Sequence, residues 1–223
     1  MKYEILADKI IYFKNALPDP KGWLEDIENA DTPLISSWLP WEKYTEESTG
    51  YMKKYGFKKM IYGDHILTHK VEDFQNDAFN RVSDLANAID KCCDIYAKTY
   101  GVEIKERLNK NMYLLSKYDS DSVIDLQHHI DIEGEWEEYS ILVYINSDYE
   151  GGELELTNFN INLKPQSGSI IIFPSGDPYV HAAQKSYNGQ KYFIAHFWQQ
   201  GAGAGFSGLS EWPSNMKERS LPQ

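Results

Sequence analysis

Two residues with metal-binding side chains, His129 and Asp131, stand two positions apart in this chain of 223 residues. The surrounding segment, Asp125 to Asp131, predicts a β-strand, in which side chains at positions i and i+2 point to the same face. The imidazole and the carboxylate can therefore reach one metal ion together. His181, far downstream, offers a third ligand.

Two imidazoles and one carboxylate form the ligand set that holds Fe(II) in non-haem sites and leaves other positions open. The pair alone is weak support, because a surface histidine hydrogen-bonded to a nearby carboxylate gives the same pattern. His181 alone is equally compatible with a histidine packed in the core. Strand parity separates His129 from its neighbour His128, which should point away from Asp131 and lie at the surface or behind the site.

A lysine in an apolar strand strengthens the case for a ligand site. Lys191 shares one face of the predicted strand Gln190 to Gln199 with Phe193 and Ala195. A lysine among such neighbours is costly unless an anion pairs with it, and this strand contains no carboxylate. We therefore expect an anionic ligand beside Lys191.

Other motifs accompany these residues in a fixed order along the C-terminal half of the chain. They are Tyr118, His129-Ile130-Asp131, Leu142-Val143-Tyr144-Ile145-Asn146, Gly151-Gly152-Glu153-Leu154, Gly168 to Ser175, His181 and Gly189-Gln190-Lys191-Tyr192. In this order and spacing, the segment from about Asn111 to Gln199 resembles the Fe(II)/2-oxoglutarate-dependent dioxygenases, in particular their prolyl 4-hydroxylase-like branch.

The resemblance implies a jelly roll, the double-stranded β-helix, in which His129, Asp131 and His181 hold Fe(II). It also implies the cofactors 2-oxoglutarate and O₂, with ascorbate as the reductant. The implied reaction hydroxylates an unactivated C–H bond and releases succinate and CO₂.

Three further roles follow only from the resemblance. Lys191 would pair with the distal carboxylate of 2-oxoglutarate, Tyr144 would hydrogen-bond the same carboxylate, and Tyr118 would line the cosubstrate pocket. Ordinary core packing remains the alternative for both tyrosines. The chain departs from the family pattern at Asp119-Ser120-Asp121 and at Ser186-Tyr187, which leaves the substrate open.

The elements that position these residues predict a β-rich α+β fold braced by N-terminal helices. Short strands with regularly spaced turns fill the C-terminal half. The clearest helix runs from Val71 to Tyr100 and ends at Gly101. We expect one domain over 1–223, comprising N-terminal strands and support helices (1–105), a jelly-roll catalytic core (106–200) and a tail (201–223).

Two N-terminal features complete this sequence-based prediction. The aromatic stretch 31–63 reads as a long irregular loop, either a lid or a packed surface loop. His65 and His69 read as surface residues, because the glutamate of a zinc-protease helix is missing between them.

Composition limits the partners. A net charge of −12 disfavours nucleic acid and argues against a nucleic-acid demethylase on the same scaffold. Cys92 and Cys93 are adjacent, so a bridge between them would be strained, and they predict buried or half-buried thiols in a reducing compartment. No membrane span or leader pattern is visible, which predicts a cytoplasmic protein.

The favoured substrate is a prolyl residue in a peptide or protein. A free amino acid or another small molecule is an alternative, and so is a metal-binding or structural module without catalysis. The sequence does not indicate an oligomeric state.

Overall fold

The computed structural model describes residues 1–28, 39–40, 57–62, 76–102, 112–118, 128–131 and 137–199. These residues form thirteen strands, two α-helices and one short 3₁₀ helix at Thr157–Phe159. The strands are β1 Lys2–Ala7, β2 Ile10–Lys14, β3 Leu39–Pro40, β4 Phe57–Tyr62, β5 Met112–Tyr118, β6 Glu137–Tyr144, β7 Glu150–Gly151, β8 Leu154–Leu156, β9 Ile161–Leu163, β10 Ser169–Pro174, β11 His181–Ala183, β12 Ser186–Tyr187 and β13 Lys191–Gln199. The helices are α1 Pro20–Glu28 and α2 Asn76–Tyr100.

Eight strands form the main sheet, in the order β1-β2-β10-β6-β13-β5-β4-β3, with antiparallel neighbours throughout. The minor side consists of the three strands β11-β8-β9 and the pair β12-β7. The N-terminal hairpin β1-β2 extends the main sheet through pairing of β2 with β10. The chain therefore has the strand-rich double-stranded β-helix fold that the sequence predicted.

Alternate residues of the central strands serve two separate cores. In β10, Ile170 and Ile172 pack on the outer side, with residues of α1 and α2, while Ile171 and Phe173 face the inner core between the sheets. This explains why the central strands read as continuous apolar runs, since both of their faces are buried. The helices brace the main sheet from outside, as predicted, and the inner core is where a site can form.

The prediction of an irregular loop over 31–63 was wrong for two segments. Strands β3 and β4 lie within it, and β4 pairs along its whole length with β5. Apolar and polar residues do not alternate regularly along Phe57-Lys58-Lys59-Met60. Pairing with β5 therefore defines this strand more than the hydrophobic pattern of β4 does. The rest of the aromatic stretch, the turn 119–122, His65, His69 and the tail lie outside the described residues.

The structure also bears on the predicted helix end, the two cysteines and the absence of a membrane span. Helix α2 ends at Tyr100, and the part of the predicted helix before Asn76 lies outside the described residues. Cys92 and Cys93 are buried free thiols, and burial raises the pKa of Cys92 to about 12. A search of the described helices finds none with the length and apolar character needed to cross a membrane.

Gly101 closes α2 in a left-handed conformation, with φ of +66°. A Cβ at this position would meet no atom within 4 Å, so substitution adds backbone strain without a clash. We predict that Gly101→Ala lowers the free energy of unfolding by about 1 kcal/mol. Gly101→Asn should cost less, because asparagine tolerates this region better. Chemical denaturation of both variants checks this, and equal stability of alanine and glycine forms would contradict it.

Candidate metal and cosubstrate site

His129, Asp131 and His181 come together at the edge of the minor side of the jelly roll. Nε2 of His129 lies 3.4 Å from Oδ1 of Asp131, and Nε2 of His181 lies 3.3 Å from Oδ2 of the same carboxylate. The ligand atoms of all three lie within 4.8 Å of one another. The structure thus gathers the three residues singled out from the sequence into one cluster.

Backbone pairing accounts for this convergence. His129 and His181 form an antiparallel bridge in which each backbone N–H donates to the other's carbonyl oxygen, both at 3.0 Å. Directly opposed residues have side chains on the same face, so the two imidazoles lie side by side, with ring centroids 4.4 Å apart. The backbone N–H of Asp131 donates to Ser175 at 3.0 Å and fixes the strand end after the bridge.

Neighbouring groups orient two of the three side chains. The Ser140 hydroxyl donates to Oδ2 of Asp131 at 2.6 Å and contacts the Ser175 hydroxyl at 2.8 Å. Nδ1 of His181 lies 3.1 Å from the Tyr179 carbonyl oxygen, which can only accept. That contact places a proton on Nδ1 of His181, so Nε2, which faces Asp131, is the nitrogen that would bind a metal once it has released its own proton.

The electrostatics of the cluster suit a cation. Burial alone would raise the pKa of Asp131, but hydrogen bonds with His129, His181 and Ser140 outweigh it and hold that pKa well below its usual range. The carboxylate is therefore ionised. With two imidazole nitrogens beside it, it offers the nitrogen and oxygen donors that Fe(II) takes in facial sites. His181 is buried, whereas the His129 side chain is 52% exposed, so the cluster opens to solvent on that side.

His128 takes the opposite orientation to its neighbour. Its Nε2 lies 3.4 Å from Oε1 of Glu155, and the side chain is exposed. The parity argument from the sequence is in agreement with this position. His196, in contrast to His128, is buried, and it lies on the face of β13 opposite to Lys191.

Lys191 is 1% exposed and lies in β13 on the inner face of the main sheet. Its ammonium donates to the Gly152 carbonyl oxygen at 2.6 Å. Within the described part of the chain, it has no carboxylate within ion-pairing distance. Burial, followed by the nearby charge of Lys164, lowers the pKa of Lys191 to about 7, and Glu153 offsets this only in part.

Aromatic side chains surround this ammonium. Nζ of Lys191 lies 5.4 Å from the ring centroid of Tyr144 and 5.4 Å from that of Phe193. Tyr118 is the direct cross-strand partner of Lys191, and its ring packs edge-on against Phe193 with centroids 5.0 Å apart. The structure thus brings Lys191, Tyr144 and Tyr118 to one inner wall.

Sequence reasoning missed Ser140, Ser175 and the carbonyl groups of Tyr179 and Gly152. Every residue has a backbone carbonyl group, so the sequence could not indicate the roles of those of Tyr179 and Gly152. Ser140 could have been questioned, because it is the one residue with an aliphatic hydroxyl within the run Tyr139–Tyr144 of β6, and its side chain is fully buried.

Residues 113–199 match the model of the 2OG-Fe(II) oxygenase superfamily. This segment holds the clustered histidines and aspartate together with Lys191. The match spans 87 of the 223 residues and confirms the resemblance predicted from the motifs, to the 2-oxoglutarate- and Fe(II)-dependent dioxygenases. Fe(II), 2-oxoglutarate and O₂ are the cofactors of this family. No curated protein matches the chain at the sequence level.

Solved structures of prolyl hydroxylases share the fold. A prolyl hydroxylase from Trichoplax adhaerens, in complex with a hypoxia inducible factor peptide fragment, matches with a TM-score of 0.58 and 16% identity, over 86% of this chain and 84% of its own. A prolyl-4-hydroxylase from Pseudomonas putida gives 0.53 and 10%, over 87% and 94%. A viral collagen prolyl hydroxylase from Paramecium Bursaria Chlorella virus-1, in a 2OG complex, gives 0.50 and 14%, over 87% and 97%. At such identities the likeness establishes the fold.

Burial of Lys191 should make the free energy of unfolding depend on pH. Its pKa is about 7 in the folded chain and about 10.4 when unfolded, so the unfolded state binds more protons between these values. The free energy of unfolding of the ligand-free protein should therefore rise with pH in this window, with Lys191 contributing up to about 1.4 kcal/mol per pH unit.

Chemical denaturation at several pH values between 7 and 9 measures this slope. Lys191→Met should flatten it, whereas Lys21→Met, at an exposed lysine of α1, should leave it unchanged. The same slope in wild type and Lys191→Met would show that this lysine does not titrate in the window.

Proposed function

We propose that the chain hydroxylates a prolyl residue in a peptide or protein, with His129, Asp131 and His181 as the ligands of its Fe(II). The observation that carries this proposal is one juxtaposition inside the oxygenase domain. Two imidazole nitrogens and an ionised carboxylate converge on one point, and the inner core beside them contains a buried lysine without an anionic partner among the described residues.

The three donors fit the metal in type, charge and support. Each histidine offers Nε2, and Asp131 offers an oxygen whose orientation Ser140 maintains at 2.6 Å. Supporting hydrogen bonds of this kind hold ligands in place and raise metal affinity by about 10- to 100-fold. The exposed side of His129 is where further ligands and substrate would enter.

Lys191 gives the cosubstrate its anchor. 2-Oxoglutarate is a dianion, so its distal carboxylate can supply the charge that Lys191 lacks, with Tyr144 as a second donor and Tyr118 lining the same wall. The apolar inner core excludes water around this ion pair, which strengthens the attraction. Selectivity for a five-carbon oxo acid would then follow from the position of Lys191 deep in the fold.

When bound, Fe(II) and 2-oxoglutarate supply the oxidising chemistry that couples decarboxylation to hydroxylation of a C–H bond. The chain's residues bind and orient the reactants. Asp131 stays ionised, His181 keeps its proton on Nδ1, and backbone pairing of the strands holds these groups in place. Ascorbate would serve as the reductant in an assay.

A peptide substrate is supported by the open side of the cluster and by the fold shared with prolyl hydroxylases. One of those was solved with a peptide fragment, and another is described as a collagen prolyl hydroxylase. The division of the chain into a support region (1–105), a catalytic core (106–200) and a tail (201–223) is also part of this proposal. So is a cytoplasmic location, which the buried free thiols support.

We predict that His129→Ala, Asp131→Ala and His181→Ala each remove Fe(II) binding and Fe(II)-dependent formation of succinate. Each change deletes one of three donors, and the remaining two cannot complete a facial site. Metal binding is measured by anaerobic titration with Fe(II). His128→Ala is the matched control, because it deletes the adjacent imidazole that points to Glu155. Unaltered metal binding in all three variants would contradict the assignment.

The substrate class has its own test. A peptide library is incubated with the protein, Fe(II), ascorbate and 2-oxoglutarate and is read by mass spectrometry. We expect a mass gain of one oxygen on prolyl residues, absent with Asp131→Ala. A gain confined to other residues, or turnover only of free amino acids, would overturn the prolyl peptide proposal while leaving the oxygenase chemistry intact.

A further inference from the structure

A third tyrosine at the Lys191 pocket, Tyr149, has a hydroxyl without a partner among the described residues. Tyr149 lies between β6 and β7 and is 5% exposed. Its Oη is fully buried and has no hydrogen-bond partner within the described part of the chain. Leaving a buried hydroxyl unsatisfied destabilises the fold, so we expect an acceptor from a ligand beside this donor.

The position of Tyr149 relates it to Lys191. A Cβ placed on Gly152 would lie 2.7 Å from Cε2 of Tyr149 and 3.3 Å from Cδ of Lys191. The edge of the Tyr149 ring and the aliphatic part of Lys191 therefore both lie against this glycine. Nζ of Lys191 lies 6.0 Å from the Tyr149 ring centroid. The Tyr149 phenol is also close enough to Tyr144 to raise the pKa of Tyr144, after the larger effect of burial.

A second lysine, Lys164, contacts the Tyr149 ring and the turn that carries it. Nζ of Lys164 lies 3.7 Å from the ring centroid and donates to the carbonyl oxygens of Tyr149, at 2.8 Å, and Gly151. Lys191 donates to the next carbonyl, that of Gly152. Two ammonium groups thus donate hydrogen bonds to carbonyl oxygens of the turn 149–152.

We infer that Tyr149 donates a hydrogen bond to the same carboxylate that Lys191 binds, which makes it an additional binding residue for the distal end of 2-oxoglutarate. The inference rests on the proposed function. A carboxylate has about four acceptor positions, more than Lys191 and Tyr144 fill. Burial raises the pKa of Tyr149, so its hydroxyl keeps its proton and can donate at neutral pH.

Tyr149→Phe tests the inference, because it deletes the hydroxyl and keeps the ring under Lys164. We measure binding of 2-oxoglutarate to the Fe(II)-loaded protein by calorimetry under nitrogen. A hydrogen bond to a charged group is worth about 1.5–3 kcal/mol, so the dissociation constant should rise about 10-fold or more. The ligand-free variant should be as stable as wild type or more so, since an unsatisfied group is removed.

Two comparisons separate binding from structure. Tyr100→Phe deletes another buried phenolic hydroxyl, on α2 beside the outer core, and should leave binding unchanged. 2-Oxobutyrate has no distal carboxylate, so wild type and Tyr149→Phe should bind it equally. A general loosening of the fold would weaken both ligands.

The outcomes distinguish this inference from the proposed function. If Lys191→Met weakens binding of 2-oxoglutarate and Tyr149→Phe does not, Tyr149 is not a ligand-binding residue, and its hydroxyl meets packing or a trapped water. If Lys191→Met also leaves binding unchanged, the proposed cosubstrate site itself is wrong.

Discussion

A buried ammonium without a carboxylate partner among the described residues is the constraint on which this structure depends. Removing a lysine from water is costly, and within the described residues the hydrogen bond to Gly152 uses one of the three donors of Lys191. The apolar inner core around Lys191 lowers its pKa to about 7. A protein retains such an arrangement when binding of an anion repays the cost. Binding of an anion beside Lys191 should therefore stabilise the folded chain.

The rest of the site is arranged around the same inner space. The main sheet presents Lys191, Tyr144 and Tyr118 from neighbouring strands, while the minor side contributes His181 and its bridge partner His129. Because strands of both sheets contribute, backbone pairing fixes the positions of the proposed metal ligands relative to the proposed cosubstrate-binding residues. The helices add stability from outside and take no part in the site.

Much of this arrangement could be predicted from the sequence, for physical reasons. Strand parity has a period of two, so it separated His129 from His128 and placed Lys191 on an inward face. The resemblance to a family supplied the roles proposed for Tyr144 and Tyr118, which parity alone could not assign. Strand β4 was missed because its pairing with β5 outweighs a weak local pattern. Ser140 and the Tyr179 carbonyl were missed because their roles depend on contacts that exist only in the folded chain, and Tyr149 became notable only when its hydroxyl was seen to lack a partner.

The most direct measurement of the central claim is the number of protons taken up when 2-oxoglutarate binds. Calorimetry of the Fe(II)-loaded protein under nitrogen at pH 8, in buffers with different ionisation enthalpies, gives this number. Lys191 is mostly neutral at that pH and must become charged to pair with a carboxylate, so the account predicts uptake of about one proton, lost in Lys191→Met. Binding of 2-oxoglutarate without proton uptake, or the same uptake in Lys191→Met, would contradict it.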